Sequence, residues 1–165
     1  MSTIVVYQSE TGFTKKYAEW IAEELGCEAV PFKKTNATKL QGYDKVIYGG
    51  WLMGGMIVGV EKVREFRLKE LIVFATGASP AMEELVQAIR VQNHLGDVPF
   101  FYFESGINYE KMGFMKRSML KMVRKNIMKK PNKTESDKFM EKALEKSYDN
   151  TNKEVINGLV ESVKA

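Results

Sequence analysis

Apolar positions fall along the chain in two alternating rhythms: short runs that are apolar throughout, and longer stretches in which they recur every three or four residues. The first kind reads as strands buried on both faces, the second as amphipathic helices. Thr3-Ile4-Val5-Val6-Tyr7 is a strand, and Ala18, Ile21, Ala22 and Leu25 then share one helical face. Gly26 is placed to end that helix as a left-handed cap. Residues 28–32 supply a second strand, Lys45-Val46-Ile47-Tyr48 a third that stops at Gly49-Gly50, and Leu71-Ile72-Val73-Phe74-Ala75 a fourth. Between the third and fourth, Val60, Val63 and Phe66 mark a helix over 57–66. Pro80 introduces another over 81–91, since proline suits a first turn, and residues 99–103 form the fifth strand.

Such strands alternating with helices require a parallel sheet covered on both faces and joined by right-handed crossovers. The sequence therefore predicts an α/β fold, a doubly wound five-stranded parallel sheet with helices on both faces. Ligands bind these sheets beyond the carboxyl ends of the strands, so the loops after Tyr7, Tyr48, Ala75 and Phe103 are the ones to inspect. A last helix over 152–163 would turn Val155, Ile156, Leu159 and Val163 inward. Residues 106–150 are then a helical insertion after the fifth strand, within a single domain spanning 1–165.

Composition narrows the chemistry. Hydrophobic residues make up 44% and charged residues 28%, a globular balance. The absence of a long apolar run or a basic-then-apolar leader leads us to expect a cytosolic protein. Cys27 and His94 are the only residues of their kinds, which gives poor support to a disulfide framework, a zinc site or a Cys-His pair. Cys27 reads as a small buried hydrophobe and His94 as a residue at a helix C-terminus. The net charge of +4 is uneven: 111–130 holds eight basic residues and no acidic one, so the remainder carries −4. A general nucleic-acid-binding surface is not implied.

The first loop, Gln8-Ser9-Glu10-Thr11-Gly12-Phe13-Thr14, leads into the first helix. Unpaired backbone N–H groups and the positive end of the helix dipole favour a phosphate there, and Ser9, Thr11 and Thr14 can add hydroxyl donors. An ordinary N-cap made by Thr11 or Thr14 is the plain alternative. Neither G-x-x-x-x-G-K-[ST] nor G-x-G-x-x-G is present, and a cradle without its own lysine points to a monophosphate. The loops after the third and fourth strands are Gly49-Gly50-Trp51-Leu52-Met53-Gly54-Gly55-Met56 and Thr76-Gly77-Ala78-Ser79-Pro80. A flat aromatic, soft apolar side chains and glycines suit a planar ring, although Trp51 would serve equally well in a core.

Ser9-x-Thr11-Gly12-x-Thr14 after the first strand resembles the phosphate loop of the flavodoxin family, and the strand alternation that accompanies it covers 3–105. The resemblance implies FMN as cofactor. Its phosphate would lie on Ser9, Glu10, Thr11, Gly12, Phe13 and Thr14. Its ring would lie between Trp51, Leu52, Met53 and Gly54 on one side and Thr76, Gly77, Ala78 and Ser79 on the other. Many flavodoxins stack an aromatic from the fourth loop on the flavin; residues 76–80 have none, which implies a more accessible ring face.

Within the insertion, Met112, Met115, Met119, Met122, Val123 and Ile127 share one helical face, with Arg117, Lys121, Arg124, Lys125 and Lys129 opposite and Lys116 intruding. Such a helix either meets a membrane surface or partner, or packs its Met face on the domain. Ser105-Gly106-x-x-Tyr109, this helix, and Thr151-Asn152-Lys153-Glu154-Val155 resemble the flavodoxin-like branch that includes bacterial menaquinone-dependent protoporphyrinogen oxidase. That implies oxidation of protoporphyrinogen IX, a step of porphyrin biosynthesis, and delivery of electrons to a membrane quinone. It also implies a cytoplasmic protein held peripherally at the inner face of the cell membrane, with 111–130 on anionic lipid. The alternatives are a soluble flavodoxin-type electron carrier docking on redox partner proteins, and a flavin-free partner-binding domain.

Overall fold

The computed structural model describes residues 1–165. Five parallel strands form the sheet: β1 (Thr3–Gln8), β2 (Glu28–Pro31), β3 (Lys45–Met53), β5 (Leu71–Gly77) and β6 (Phe100–Glu104). Their spatial order is β2-β1-β3-β5-β6, and a short β4 (Met56–Ile57) folds back antiparallel on the end of β3. The connections reverse direction between β1 and β3, the place where a doubly wound sheet opens a crevice.

Side chains alternate across the sheet into two cores. Ile4, Val6, Val46, Tyr48, Val73 and Ala75 face one side, under α2 (Ala37–Gln41), α3 (Val60–Glu65) and α4 (Glu83–Gln92). Val5, Tyr7, Ile47, Ile72 and Phe74 face the other, under α1 (Phe13–Leu25) and α7 (Asn157–Lys164). Tyr17, Ala18, Ile21 and Ala22 form the buried stripe of α1, at the spacing its sequence predicts. Gly26 ends that helix at φ 63, and its N–H is bonded back to Ala22 and Glu23.

The structure differs from the sequence reading in several places. β3 does not stop at Gly49-Gly50 but runs on to Met53. Gly49 lies flat against the Phe74 ring, where any Cβ would collide, so this glycine serves sheet packing and not a loop. The helix predicted over 57–66 is shortened by β4 and begins at Val60, and the last helix begins with a 3₁₀ turn over Lys153–Ile156. Cys27 is half-buried beside the second core and not inside it. His94, in contrast, is where the sequence reading puts it, exposed at the C-terminal end of α4 with φ 52.

The insertion is closed at its base by a two-stranded antiparallel ribbon, β7 (Gly106–Ile107) with β8 (Tyr148–Asp149). Between these strands lie α5 (Phe114–Met128) and α6 (Glu135–Ala143), the latter started by a reciprocal capping box between Thr134 and Asp137. A small third cluster of Ile107, Met112 and Leu144 joins the insertion to Ala78 in the loop after β5. No helix is long and apolar enough to cross a membrane.

Candidate functional site

The carboxyl ends of β1, β3 and β5 meet beneath the insertion in a cavity of about 440 Å³. The parallel register sets Trp51 directly beside Thr76, so β3 and β5 reach the cavity side by side at their carboxyl ends. Ser9, Glu10, Thr11, Phe13 and Thr14 line the cavity from the first loop. Trp51, Leu52 and Gly54 line it from the second, and Thr76, Gly77, Ala78 and Ser79 from the third. Gly12 and Met53 do not: Gly12 is the N-cap of α1, and Met53 turns outward, 57% exposed.

The phosphate loop is not an ordinary side-chain cap. Gly12 occupies the N-cap with φ 101, a conformation that favours glycine, and no side chain caps the helix. The Ser9 hydroxyl instead accepts a 3.2 Å hydrogen bond from the Gly12 N–H, which curls the loop. The first-turn amides of α1 are therefore left for an anion at the positive end of a thirteen-residue helix. Thr14 is only 1% exposed, and its hydroxyl lies 2.8 Å from that of Thr76. It joins two loops to each other and does not cap.

Three groups shape the remaining walls. Asn93, 2% exposed, accepts from the Ile57 N–H at 2.8 Å and donates to the Gly55 carbonyl at 2.9 Å, fixing the turn between β3 and β4. Tyr102 and Tyr148 donate to the carbonyls of Ser79 and Ala78, at 2.6 and 3.1 Å, and hold the loop after β5. Burial pushes both phenols up, so they remain neutral donors. Sequence reasoning missed all three. Asn93 and Tyr102 sit inside ordinary helix-end and strand patterns, and Tyr148 comes from the far end of the insertion.

The insertion builds the other half of the site. Ile107, Met112, Leu120, Met140 and Leu144 enclose the cavity on the side where the loop after β5 offers no aromatic, so that side is walled by aliphatic and thioether groups. The orientation of α5 departs from the expected Met face. Leu120 and Ile127 turn inward, while Met115, Met119 and Met122 are 84%, 54% and 63% exposed. Arg117 and Arg124 also turn inward, donating to the carbonyls of Met112 and Glu141. Lys121, Lys125 and Lys129 remain on the surface beside the exposed methionines. Lys116 intrudes on the apolar face for a reason: its ammonium reaches Glu10 at 2.5 Å and lies 3.8 Å from the centre of the Trp51 ring. Trp51 thus belongs to the cavity wall and to neither core.

A parallel sheet of this strand order, with a glycine-turned, uncapped helix start and a cavity at its switch point, defines a doubly wound α/β protein with its ligand crevice at the usual place. A family model described as a flavodoxin domain matches residues 4–136, and the chain belongs to that family. Similar solved structures include a flavodoxin from the domain Archaea, at 15% identity, 100% of each chain covered and TM-score 0.47. Oxidised flavodoxin 1 from Bacillus cereus matches at 18% identity, over 67% of this chain and 89% of that one, with TM-score 0.44. A flavodoxin, WrbA-like protein from Agrobacterium tumefaciens matches at 21% identity, over 62% and 83%, with TM-score 0.40. No curated protein matches the sequence.

FMN is the cofactor of this family, and the residues present fit it. The cradle at Gly12 has uncapped amides for a phosphate, and the adjoining walls of Trp51, Leu52 and Gly77 are apolar or glycine. The cavity volume falls in the range of about 300–1,000 Å³ usual for such ligands.

Proposed function

We propose that this chain is an FMN-dependent oxidoreductase that oxidises an organic substrate with a large apolar body beneath the insertion and passes the electrons to a quinone in an anionic membrane. The observation that carries this reading is the cavity's second wall of Ile107, Met112, Leu120, Met140 and Leu144. An electron carrier that meets other proteins at a flavin edge leaves that edge open, whereas here apolar side chains of the insertion close one side of the cavity, which suits an organic substrate. The particular reaction suggested by the sequence resemblance is oxidation of protoporphyrinogen IX with menaquinone as acceptor, and the position of the insertion after β6 supports it.

Bound FMN would supply the redox chemistry itself. The protein's part is to hold and enclose. The Ser9 loop and the α1 amides take the phosphate, Trp51 and Leu52 border the ring side, and the insertion keeps water from the cavity. Membrane delivery is supported by the exposed Met115, Met119 and Met122 beside Lys121, Lys125 and Lys129. Each such cation contributes about 1 kcal/mol near an anionic surface, and the methionines add apolar insertion.

The test is anaerobic addition of protoporphyrinogen IX to the purified holoprotein while the flavin absorbance is followed. We expect direct bleaching in the wild type. Leu120→Trp, at a half-buried position on the insertion's side of the cavity, should retain FMN but bleach at least ~10-fold more slowly, an effect of about 1.4 kcal/mol on the barrier. Bleaching only after a partner reductase is added would favour the soluble electron carrier instead.

A further inference from the structure

Two lysines of the insertion reach the phosphate loop, although the loop carries no cation of its own. The Lys111 ammonium lies 3.6 Å from the position that a Cβ on Gly12 would occupy, which directs it at the left-handed residue where the anion cradle turns. Lys116, five residues further on in the first turn of α5, makes the 2.5 Å ion pair with Glu10, its side chain 25% exposed. Glu10 is the one carboxylate in the cradle segment Ser9-Glu10-Thr11-Gly12-Phe13-Thr14. Unpaired, it would repel a phosphate dianion.

We propose that Lys111 and Lys116 form a cationic arm of the FMN phosphate site, supplied by the insertion. Lys116 cancels the charge of Glu10, and Lys111 brings a net positive charge to the cradle. The site therefore holds the phosphate by charge as well as by amides and hydroxyls. Charge-assisted contacts are roughly twice as strong as neutral ones; Lys116 is partly buried and Lys111 is exposed, so salt screens the contribution of Lys111 the more strongly. Cofactor affinity and docking of the insertion are then linked: a bound dianion draws the first residues of the insertion onto the loop, and a displaced insertion weakens the phosphate's hold. The same link explains why Lys116 interrupts the apolar face of α5.

This inference rests on FMN as the cofactor and is independent of the electron acceptor. It is tested by titrating full-length apoprotein with FMN and, separately, with riboflavin, which lacks the phosphate, at low and high salt, following flavin fluorescence. Lys111→Gln and Lys116→Gln should each weaken FMN binding about tenfold and together about a hundredfold, with riboflavin changed by less than about twofold. The wild-type preference for FMN should shrink as salt rises, and that of the double variant should be nearly flat. Lys121→Gln with Lys125→Gln removes the same charge from the outer face of the same helix and should leave both affinities unchanged. Lys111→Arg with Lys116→Arg should restore FMN binding, which separates charge from folding. Equal losses for FMN and riboflavin, or an equal effect of the Lys121 and Lys125 substitutions, would overturn the arm. Wild-type apoprotein that binds neither flavin would overturn the arm together with the cofactor on which it rests.

Discussion

Thr14 and Thr76 are 62 residues apart in the chain, and their buried hydroxyls share a hydrogen bond of 2.8 Å. Thr14 belongs to the first turn of α1 and Thr76 to the end of β5, so this one contact sets the phosphate loop against the loop on the ring side. The contact fixes the cradle's shape without using up its donors: either hydroxyl can be the donor, so Thr14 keeps its own hydrogen when it accepts from Thr76, Ser9 keeps its own while accepting from the Gly12 N–H, and Thr11 is half-exposed on the cavity wall.

A double-mutant cycle measures the contact. Thr14→Val and Thr76→Val should each destabilise the apoprotein by about 1–2 kcal/mol, because each leaves the opposite hydroxyl buried without a partner. The double variant should cost less than the sum by about 0.5–1.5 kcal/mol. Urea denaturation gives the stabilities. Additivity would mean that the hydroxyls do not couple the loops.

Asn93 gives a second test, on the other side of the cavity. Its side chain joins the end of α4 to the Ile57 amide and the Gly55 carbonyl. Asn93→Ala should cost about 2–3 kcal/mol, since buried backbone groups lose their only side-chain partner. It should also release the Trp51–Ile57 turn, seen as faster hydrogen exchange at the Ile57 amide and a shifted flavin spectrum. Unchanged exchange at Ile57 would remove Asn93 from the account of the site.

The pH dependence follows from three buried phenols. Tyr17 donates to the Glu104 carbonyl, Tyr48 to that of Val58 and Tyr102 to that of Ser79, and burial raises all three above the usual tyrosine value. A group whose folded pKa is raised contributes stability that is fully present below its unfolded pKa, about 10, and is lost as pH rises through the folded value. Stability owed to these phenols should be level from neutrality to about pH 9 and decline above about 10. Urea midpoints across that range check it. A midpoint that rose above pH 10 would contradict the buried, neutral assignment.

The sheet was readable because its central strands β1, β3 and β5 are apolar on both faces and the helices covering it carry one stripe, so periodicity alone separates 3–7, 45–48 and 71–75 from their neighbours. The cavity's sheet-borne half was readable because the topology fixes which loops converge. The half built by the insertion was not. The apolar face of α5 does not by itself fix its rotation, which is set by Leu120, Lys116 and Arg124 finding partners on other segments, with Arg117 bonded back to the Met112 carbonyl just before the helix. Periodicity carries no record of such contacts. The same rotation changes which cations are free. Arg117 and Arg124 are bound to carbonyls within the insertion, and Lys121, Lys125 and Lys129 are the set facing outward.

The most direct measurement is the anaerobic reoxidation of chemically reduced holoprotein by menaquinone embedded in anionic or in neutral vesicles, followed by return of the flavin absorbance. We predict reoxidation without any partner protein on anionic vesicles. It should slow on neutral ones, at high salt, and in the variant combining Lys121→Glu, Lys125→Glu and Lys129→Glu, which should keep its FMN. Equal rates on both vesicle types, or no reoxidation until a partner protein is supplied, would contradict the account.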